Sequence, residues 1–254
     1  MTALALENYS SAALLYLAAT ALIAGISRGF SGFGAALIFI PLASAAVGPR
    51  SAVPLLLIID AVAAASLIPR AWRGADKRDV GIMTLGAVLG VPLGTFVLSR
   101  SDPVAIRWMI AAMVAAMLGL LASGWRYHGR PAVPLTIGVG GLAGFFSGVA
   151  QVGGPPVVAY WLGSRNSAET VRANIILYFA ISTAFTMASY FVGDLLTGAV
   201  LGLAIVTGPL YGLGLLIGAR MFGLASEQTF RRVCYAIIAG AAIVGLPVLD
   251  GVIR

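Results

Sequence analysis

The sequence predicts an all-α membrane protein with about ten helical segments, arranged as two inverted repeats of five. Three observations predict this fold class. Hydrophobic residues make up 60% of the 254 residues and charged residues only 10%, whereas about a quarter of the residues in a soluble domain are charged. Several charge-free stretches approach the roughly 20 residues that a bilayer span needs. Glycine-rich interruptions at residues 29–34 and 144–156 stand at matching places in the two halves.

Ten apolar segments lie between the charged residues and the Gly/Pro breaks. The second segment of each half is short, because at 1.5 Å per residue 34–47 spans about 21 Å and 155–163 about 14 Å, against a hydrocarbon core of roughly 30 Å. We interpret these two segments as parts of Gly-rich broken or re-entrant helical hairpins. The predicted segments are 11–27, 34–47, 51–69, 80–99, 104–124, 134–149, 155–163, 171–191, 197–219 and 230–248.

The two halves repeat the same order of features. We expect a first membrane repeat at 1–125, a cytoplasmic linker at 126–133 and a second membrane repeat at 134–254, together one integral membrane domain. The Phe-Ser-Gly tripeptide common to both interruptions is offset by 116 residues, from Ser31 to Ser147. Three further pairs are offset by 118 residues, namely Asp76 and Asp194, Gly90 and Gly208, and Gly94 and Gly212.

Basic residues predict the orientation in the membrane. If each hairpin re-enters on one side, or if all ten segments span, one side collects 12 of the 16 Lys and Arg residues and the other side 4. An excess of basic residues marks cytoplasmic loops. We therefore expect a multi-pass protein of the bacterial cytoplasmic (inner) membrane, with both termini periplasmic. A single crossing per hairpin would split the basic residues about evenly, 8 to 7, with Arg28 assigned to neither side.

Several function classes are disfavoured by the composition. The net charge of +7 comes from basic residues scattered among loops, which is not the clustered surface that binds nucleic acid. One histidine, one cysteine and one midspan acid do not supply the usual nucleophile or metal-ligand sets, so we expect no enzyme activity, no metal and no cofactor. The first ten residues contain no Lys or Arg, so we expect the first helix to be retained rather than cleaved as a signal peptide.

The glycine-rich motifs carry a resemblance to a known family. Together with Pro155-Pro156, the chain length and the repeated layout, they resemble the TauE/SafE family of sulfite and organosulfonate exporters. The resemblance covers essentially the whole chain, and its most specific piece is 144–156. The first motif is weaker, because Ala35 and Ala36 stand where further glycine is expected. The resemblance implies export of small sulfur-containing anions, most commonly sulfite.

An anion also suits the chemistry of the two interruptions. Each is followed by a predicted helix N-terminus, which carries partial positive charge and unpaired N–H groups. Glycine lets the backbone approach a ligand closely, and serine and glutamine side chains add donors. The alternative is that these small residues only let helices pack. The expected substrate-binding residues are Arg28, Ser31, Gly32, Gly34, Ser147, Gly148, Gln151, Gly153, Gly154 and Pro155.

Two charged residues in apolar surroundings have open roles. Arg28 precedes the first interruption, and is either an anion-binding guanidinium or an ordinary cytoplasmic flank. Asp60 lies at the middle of 51–69 with no other charge within nine residues. It is a proton-coupling site, a counter-ion for Arg28, or a protonated acid bonded to a neighbouring helix. The matching position of the second half is near Tyr178, so the acid is not duplicated.

The expected function is alternating-access export driven by the membrane potential, with or without proton coupling. Moving one negative charge out of a negative interior gains about 2.3 kcal/mol per 100 mV, so uniport suffices. The alternatives are an anion channel and an importer of a small carboxylate or other organic anion. The expected partners are a small inorganic or organic sulfur anion and the lipid bilayer, without nucleic acid. A homodimer is compatible with the sequence, which leaves the oligomeric state open.

Overall fold

The computed structural model describes residues 9–32, 34–129, 132–164, 166–221 and 227–250, and the regular elements in these ranges are all helical. A single 3-10 turn, Ala65–Leu67, joins α3 to α4, so the helices form ten segments, as the sequence predicts. The helices are α1 (Ser11–Ser31), α2 (Ala35–Val47), α3 (Pro49–Ala64), α4 (Ile68–Gly74), α5 (Lys77–Arg100), α6 (Pro103–Ser123), α7 (Val133–Ala150), α8 (Gly154–Trp161), α9 (Ala168–Val192), α10 (Gly198–Met221) and α11 (Glu227–Val244).

Seven of these segments are long and apolar enough to cross a membrane, with 18 to 26 residues each. The fold class of a polytopic all-α membrane protein is therefore confirmed. The two short segments also appear where the sequence places them. Helix α2 has 13 residues and α8 only 8, which correspond to about 20 Å and 12 Å. Neither reaches across a hydrocarbon core of roughly 30 Å.

Polar side chains at the helix starts explain several of the boundaries. The hydroxyl of Ser10 accepts a hydrogen bond from the N–H of Ala13, and Ser167 does the same for Thr170. The carboxylate of Asp102 accepts from the N–H of Val104 at 2.9 Å. Each of these bonds satisfies an N–H group that has no partner inside its helix.

A buried amide fixes the turn between α4 and α5. Asp76 caps α5, and its carboxylate accepts from the N–H of Arg78 and of Asp79. The N–H of Asp76 in turn donates to Oδ1 of the fully buried Asn174 in α9, at 2.7 Å. Asn174 therefore bonds the turn to α9.

The chain folds into two compact units. Unit 1 comprises residues 1–59, 101–118 and 194–254, and unit 2 comprises residues 60–100 and 119–193. Each unit combines helices from both predicted repeats. In unit 1, α1 packs along α10, and in unit 2, α7 packs along α5. Each unit thus pairs the first helical segment of one predicted repeat with the fourth segment of the other.

Glycines bring the backbones of each helix pair into direct contact. In unit 1, a Cβ atom on Gly25 would lie 2.3 Å from the carbonyl oxygen of Tyr211, and one on Gly29 would lie 2.1 Å from that of Leu215. Since both distances are far below van der Waals contact, only glycine fits there. From the α10 side, a Cβ on Gly214 would lie 2.3 Å from Leu22 O, and one on Gly218 would lie 2.1 Å from Ile26 O.

Unit 2 has the same contact pattern. From the α7 side, a Cβ on Gly144 would lie 2.8 Å from Ala87 Cα, and one on Gly148 would lie 2.4 Å from Val91 O. From the α5 side, a Cβ on Gly90 would lie 2.1 Å from Gly141 O, and one on Gly94 would lie 2.3 Å from Phe145 O. Close approach at small residues is typical of helices packed in membranes.

The two patterns superimpose at constant offsets. Residues of α1 match residues of α7 that are 119 positions later, as Gly25 matches Gly144, and residues of α5 match residues of α10 that are 124 positions later, as Gly90 matches Gly214. These offsets differ from the offsets of 116 and 118 residues that the sequence motifs predict. An offset of 118 pairs Gly208 and Gly212 with Gly90 and Gly94, but these two glycines do not press on a neighbouring backbone. A Cβ on Gly208 would lie 3.6 Å from Ile59 Cγ2, and a Cβ on Gly212 would meet open space.

Candidate substrate site at the two helix breaks

The first break separates α1 from α2 in unit 1. Helix α1 ends at Ser31, and Gly32 follows with a φ of +75°, donating its N–H to the carbonyl oxygen of Arg28 at 2.9 Å. Gly34, with a φ of +95°, is the N-cap of α2, which begins at Ala35. Both conformations are left-handed and cost little only for glycine. The side chain of Ser31 lies outside the part of the chain that the structure describes.

Arg28 lies on this break. Its side chain is half-buried, and its guanidinium donates to the carbonyl oxygen of Gly32. The guanidinium therefore covers the C-terminal end of α1, where carbonyl groups have no partner within the helix and a cation is favoured by the helix dipole.

The second break separates α7 from α8 in unit 2. Helix α7 ends at Ala150, and Gln151 follows with a φ of +58°. The N–H of Gln151 donates to Ser147 O at 3.0 Å, and the N–H of Val152 donates to Phe146 O at 3.4 Å. The bond from the left-handed Gln151 to the carbonyl oxygen four residues earlier is the αL type of helix end. Gly153 then leads into α8, which begins at Gly154.

The two breaks match residue by residue at the offset of 119. Gly32 corresponds to Gln151 as the left-handed residue, and Gly34 corresponds to Gly153 as the residue before the short helix. At this offset Ser147 corresponds to Arg28 and not to Ser31. The Phe-Ser-Gly match is thus displaced by three residues, because short matches arise easily among sequences rich in glycine, alanine and phenylalanine.

A tyrosine from α9 supports the second break. The hydroxyl of the fully buried Tyr190 donates to Gly148 O at 2.8 Å, and Gln151 Nε2 lies 2.9 Å from Ser147 O and 3.2 Å from the Tyr190 hydroxyl. Since a carbonyl oxygen only accepts, the atom facing Ser147 is the NH2 group. Both amide hydrogens of Gln151 therefore hold the break together. Tyr190 is not among the site residues expected from the sequence; the signal for it is a hydroxyl in an apolar helix, which needs a partner when buried.

The glycines at the two breaks have different surroundings. A Cβ on Gly148 would press on Val91 O at 2.4 Å, and one on Gly153 would lie 2.2 Å from Ala143 O and 2.4 Å from Ser147 Oγ. These two glycines are therefore required for packing. Gly154 and Gly32 have open space where a Cβ would lie. The free space beside each break is thus next to Gly32 and Gly154.

The two short helices present different numbers of N–H donors. The first N–H groups of any helix have no acceptor inside it. At α8, Pro155 and Pro156 carry no N–H, which leaves the N–H groups of Gly153 and Gly154. At α2, residues 34–37 are all non-proline and each carries one. Both helix starts favour negative charge through the helix dipole.

Asp60 lies in α3, four residues before the helix ends at Ala64 and gives way to the 3-10 turn. Its side chain is half-buried. If the offset of 119 also holds for α3, Asp60 corresponds to Phe179 in the second half, and Ile59 corresponds to Tyr178. The carboxylate therefore has no acidic counterpart in the second half. No cluster of three metal-ligating side chains occurs among the described residues.

Comparisons with known proteins agree with this architecture. A family model described as Sulfite exporter TauE/SafE matches residues 17–245, which is nearly the whole chain. Comparisons with curated proteins and with solved structures give no match. The matched region runs from α1 to the end of α11 and includes both breaks. Because the family model spans far more than half of the sequence, this multi-pass membrane protein belongs to the TauE/SafE sulfite exporter family of transporters.

Proposed function

We propose that the protein exports small sulfur-containing anions, sulfite foremost, across the bacterial inner membrane by alternating access. The observation that carries this proposal is the repeated break, in which a left-handed residue, a glycine and the start of a short helix recur at an offset of 119. Broken helices at corresponding positions of two repeats mark the substrate site in many transporters. The inverted order of the repeats and the periplasmic termini are part of this proposal.

Each break would bind the anion through backbone N–H groups at the start of the short helix. Gly32 and Gly154 stand beside the free space, while Gly148, Gly153 and Gln151 keep the backbone in shape. Arg28 would add its guanidinium at the first break, because a fork of N–H donors matches two oxygens of an oxyanion. The proposed binding set remains Arg28, Ser31, Gly32, Gly34, Ser147, Gly148, Gln151, Gly153, Gly154 and Pro155.

The test is sulfite efflux from proteoliposomes under an imposed potential, with sulfate, sulfoacetate, acetate and chloride as competitors. We expect saturable efflux that the potential accelerates, since an outward anion gains about 2.3 kcal/mol per 100 mV. Gly154→Leu should abolish it, because the new side chain enters the free space at the second break. The matched control is Gly138→Leu, on an exposed part of α7 that also has open space.

The outcomes separate the alternatives. Equal efflux by Gly154→Leu and Gly138→Leu would refute the site. Saturable movement of a competitor without sulfite flux would keep the transporter and replace the substrate. Flux that does not saturate and shows no counter-transport would indicate a channel. Gly148→Leu and Gly153→Leu are unsuitable, since each would disturb helix packing whatever its effect on binding.

Proton coupling through Asp60 is tested separately. If this half-buried carboxylate carries the proton, Asp60→Asn should abolish the dependence of efflux on an imposed pH gradient while potential-driven efflux persists. Identical pH dependence in the variant and the wild type would show that Asp60 is not the coupling acid and would favour uniport.

A further inference from the structure

A buried arginine at one end of unit 1 is held in an unusual way. Arg107 lies in the second turn of α6, and its side chain is only 7% exposed. Its Nη2 and Nε donate to the carbonyl oxygen of Gly245, just after α11, at 3.0 and 3.3 Å. Its two terminal nitrogens also hold both carboxylate oxygens of Asp250, with Nη2 at 2.8 Å from Oδ1. The guanidinium thus grips a carboxylate with two parallel bonds.

Asp250 also lines a cavity. This cavity has a volume of about 550 Å³ and lies among the first turns of α1, the end of α2 and the segment after α11. Among the described residues, its polar lining comes from Ser10, Tyr16 and Asp250, and Arg107 is not part of the wall. Asp250, 39% exposed, therefore stands between the cavity and the buried guanidinium.

We propose that Arg107 is a second anion-binding position of this protein, which the carboxylate of Asp250 occupies in this structure and which a small oxyanion entering the cavity occupies in its place. This inference rests on the proposed function in one respect: the small sulfur-containing anion that is transported is also an oxyanion that Arg107 would bind. Sulfite and sulfonates present two oxygens to a guanidinium as a carboxylate does. The two bonds to Gly245 O would keep the guanidinium in position after Asp250 leaves.

The tethered carboxylate makes this position suited to brief occupancy. A group attached to the same chain competes with an effective concentration in the millimolar range. When an anion binds the guanidinium of Arg107, the released Asp250 carboxylate places a second negative charge beside it. The repulsion between the two charges favours dissociation of the anion. Removing the carboxylate should therefore strengthen anion binding, by about tenfold or more.

A purely structural ion pair predicts a different result. If the pair only anchors the segment after α11, then its loss lowers stability, and added anions do not restore it. Breaking a buried ion pair is costly because it leaves an unpaired charge. The two interpretations therefore differ in whether a soluble anion replaces the missing carboxylate.

The experiment is thermal unfolding of the purified full-length protein in detergent, titrated with sodium sulfite, sodium acetate or sodium chloride. In Asp250→Ala we expect sulfite and acetate to raise the Tm, with half-saturation about tenfold lower than in the wild type or lower still. Chloride, which has no pair of oxygens, should have the weaker effect. Arg107→Gln combined with Asp250→Ala should abolish the shift. Asp102→Ala, which removes the cap of the same helix, is the matched control and should gain no anion dependence.

The outcomes are decisive in either direction. A folded Asp250→Ala without an anion-dependent Tm shift would overturn the proposal. If that variant does not fold, the same titration with Asp250→Asn, which keeps the volume, decides the question. Failure of both to fold would establish the anchoring role instead. Anion binding by Asp250→Ala without sulfite flux in the wild type would refute the proposed function alone.

Discussion

Replacing Gly94 by alanine should weaken unit 2 through direct contact between two helix backbones. The new Cβ would lie 2.3 Å from Phe145 O, whereas ordinary contact begins at 3.4 Å, so α5 and α7 must separate by about 1.1 Å. Gly218, its counterpart at the offset of 124, would place a Cβ 2.1 Å from Ile26 O. The same replacement there requires about 1.3 Å. Gly212, the counterpart at the offset of 118, has open space.

The change in the free energy of unfolding has two opposing contributions. Overpacking costs about 1–3 kcal/mol, and a rigid backbone oxygen places these sites at the upper end. Alanine regains about 1 kcal/mol over glycine in a helix. We therefore expect a net loss of about 2 kcal/mol for Gly94→Ala and Gly218→Ala, and a gain of about 1 kcal/mol for Gly212→Ala. At roughly 2–4 °C per kcal/mol for a chain of this size, the two groups should differ in Tm by roughly 6–12 °C.

The assay is thermal unfolding of the three variants in detergent, followed by the fluorescence of the four tryptophans. Far-UV circular dichroism checks that each variant retains its helices. A loss of stability in Gly212→Ala equal to that in Gly94→Ala would refute the packing argument and the offset of 124. A neutral Gly94→Ala would show that the helices separate without cost.

Two further side chains give sharp expectations. Tyr190→Phe removes the hydroxyl that is bonded to Gly148 O and Gln151 Nε2. We therefore expect the free energy of unfolding to fall by about 1–3 kcal/mol. An unchanged Tm would show that Tyr190 does not stabilise the second break. Asn174→Leu removes the acceptor of the Asp76 N–H and should lower the free energy of unfolding by about 1–3 kcal/mol. We expect a lower Tm and faster proteolysis of the α4–α5 turn. Proteolysis at the wild-type rate would show that this bond does not hold the turn.

The sequence by itself determined the class of the protein and its division into segments. Charge-free stretches set the long helices, and the glycine-rich interruptions set the short helices α2 and α8. These features are local, because a span depends on the hydropathy of consecutive residues and a break depends on the residues within it. Both candidate breaks were therefore found, and the resemblance that they carry is confirmed by the family match.

Only the tertiary structure decided the contacts between distant residues. Four findings depend on contacts between separate elements: the offset of 119, the packing role of Gly148, the hydrogen bond between Gln151 and Tyr190, and the pairing of Arg107 with Asp250. A helix that is apolar on every face does not encode which face meets its neighbour. The choice comes from close packing of glycine against backbone and from the need of buried polar groups for partners.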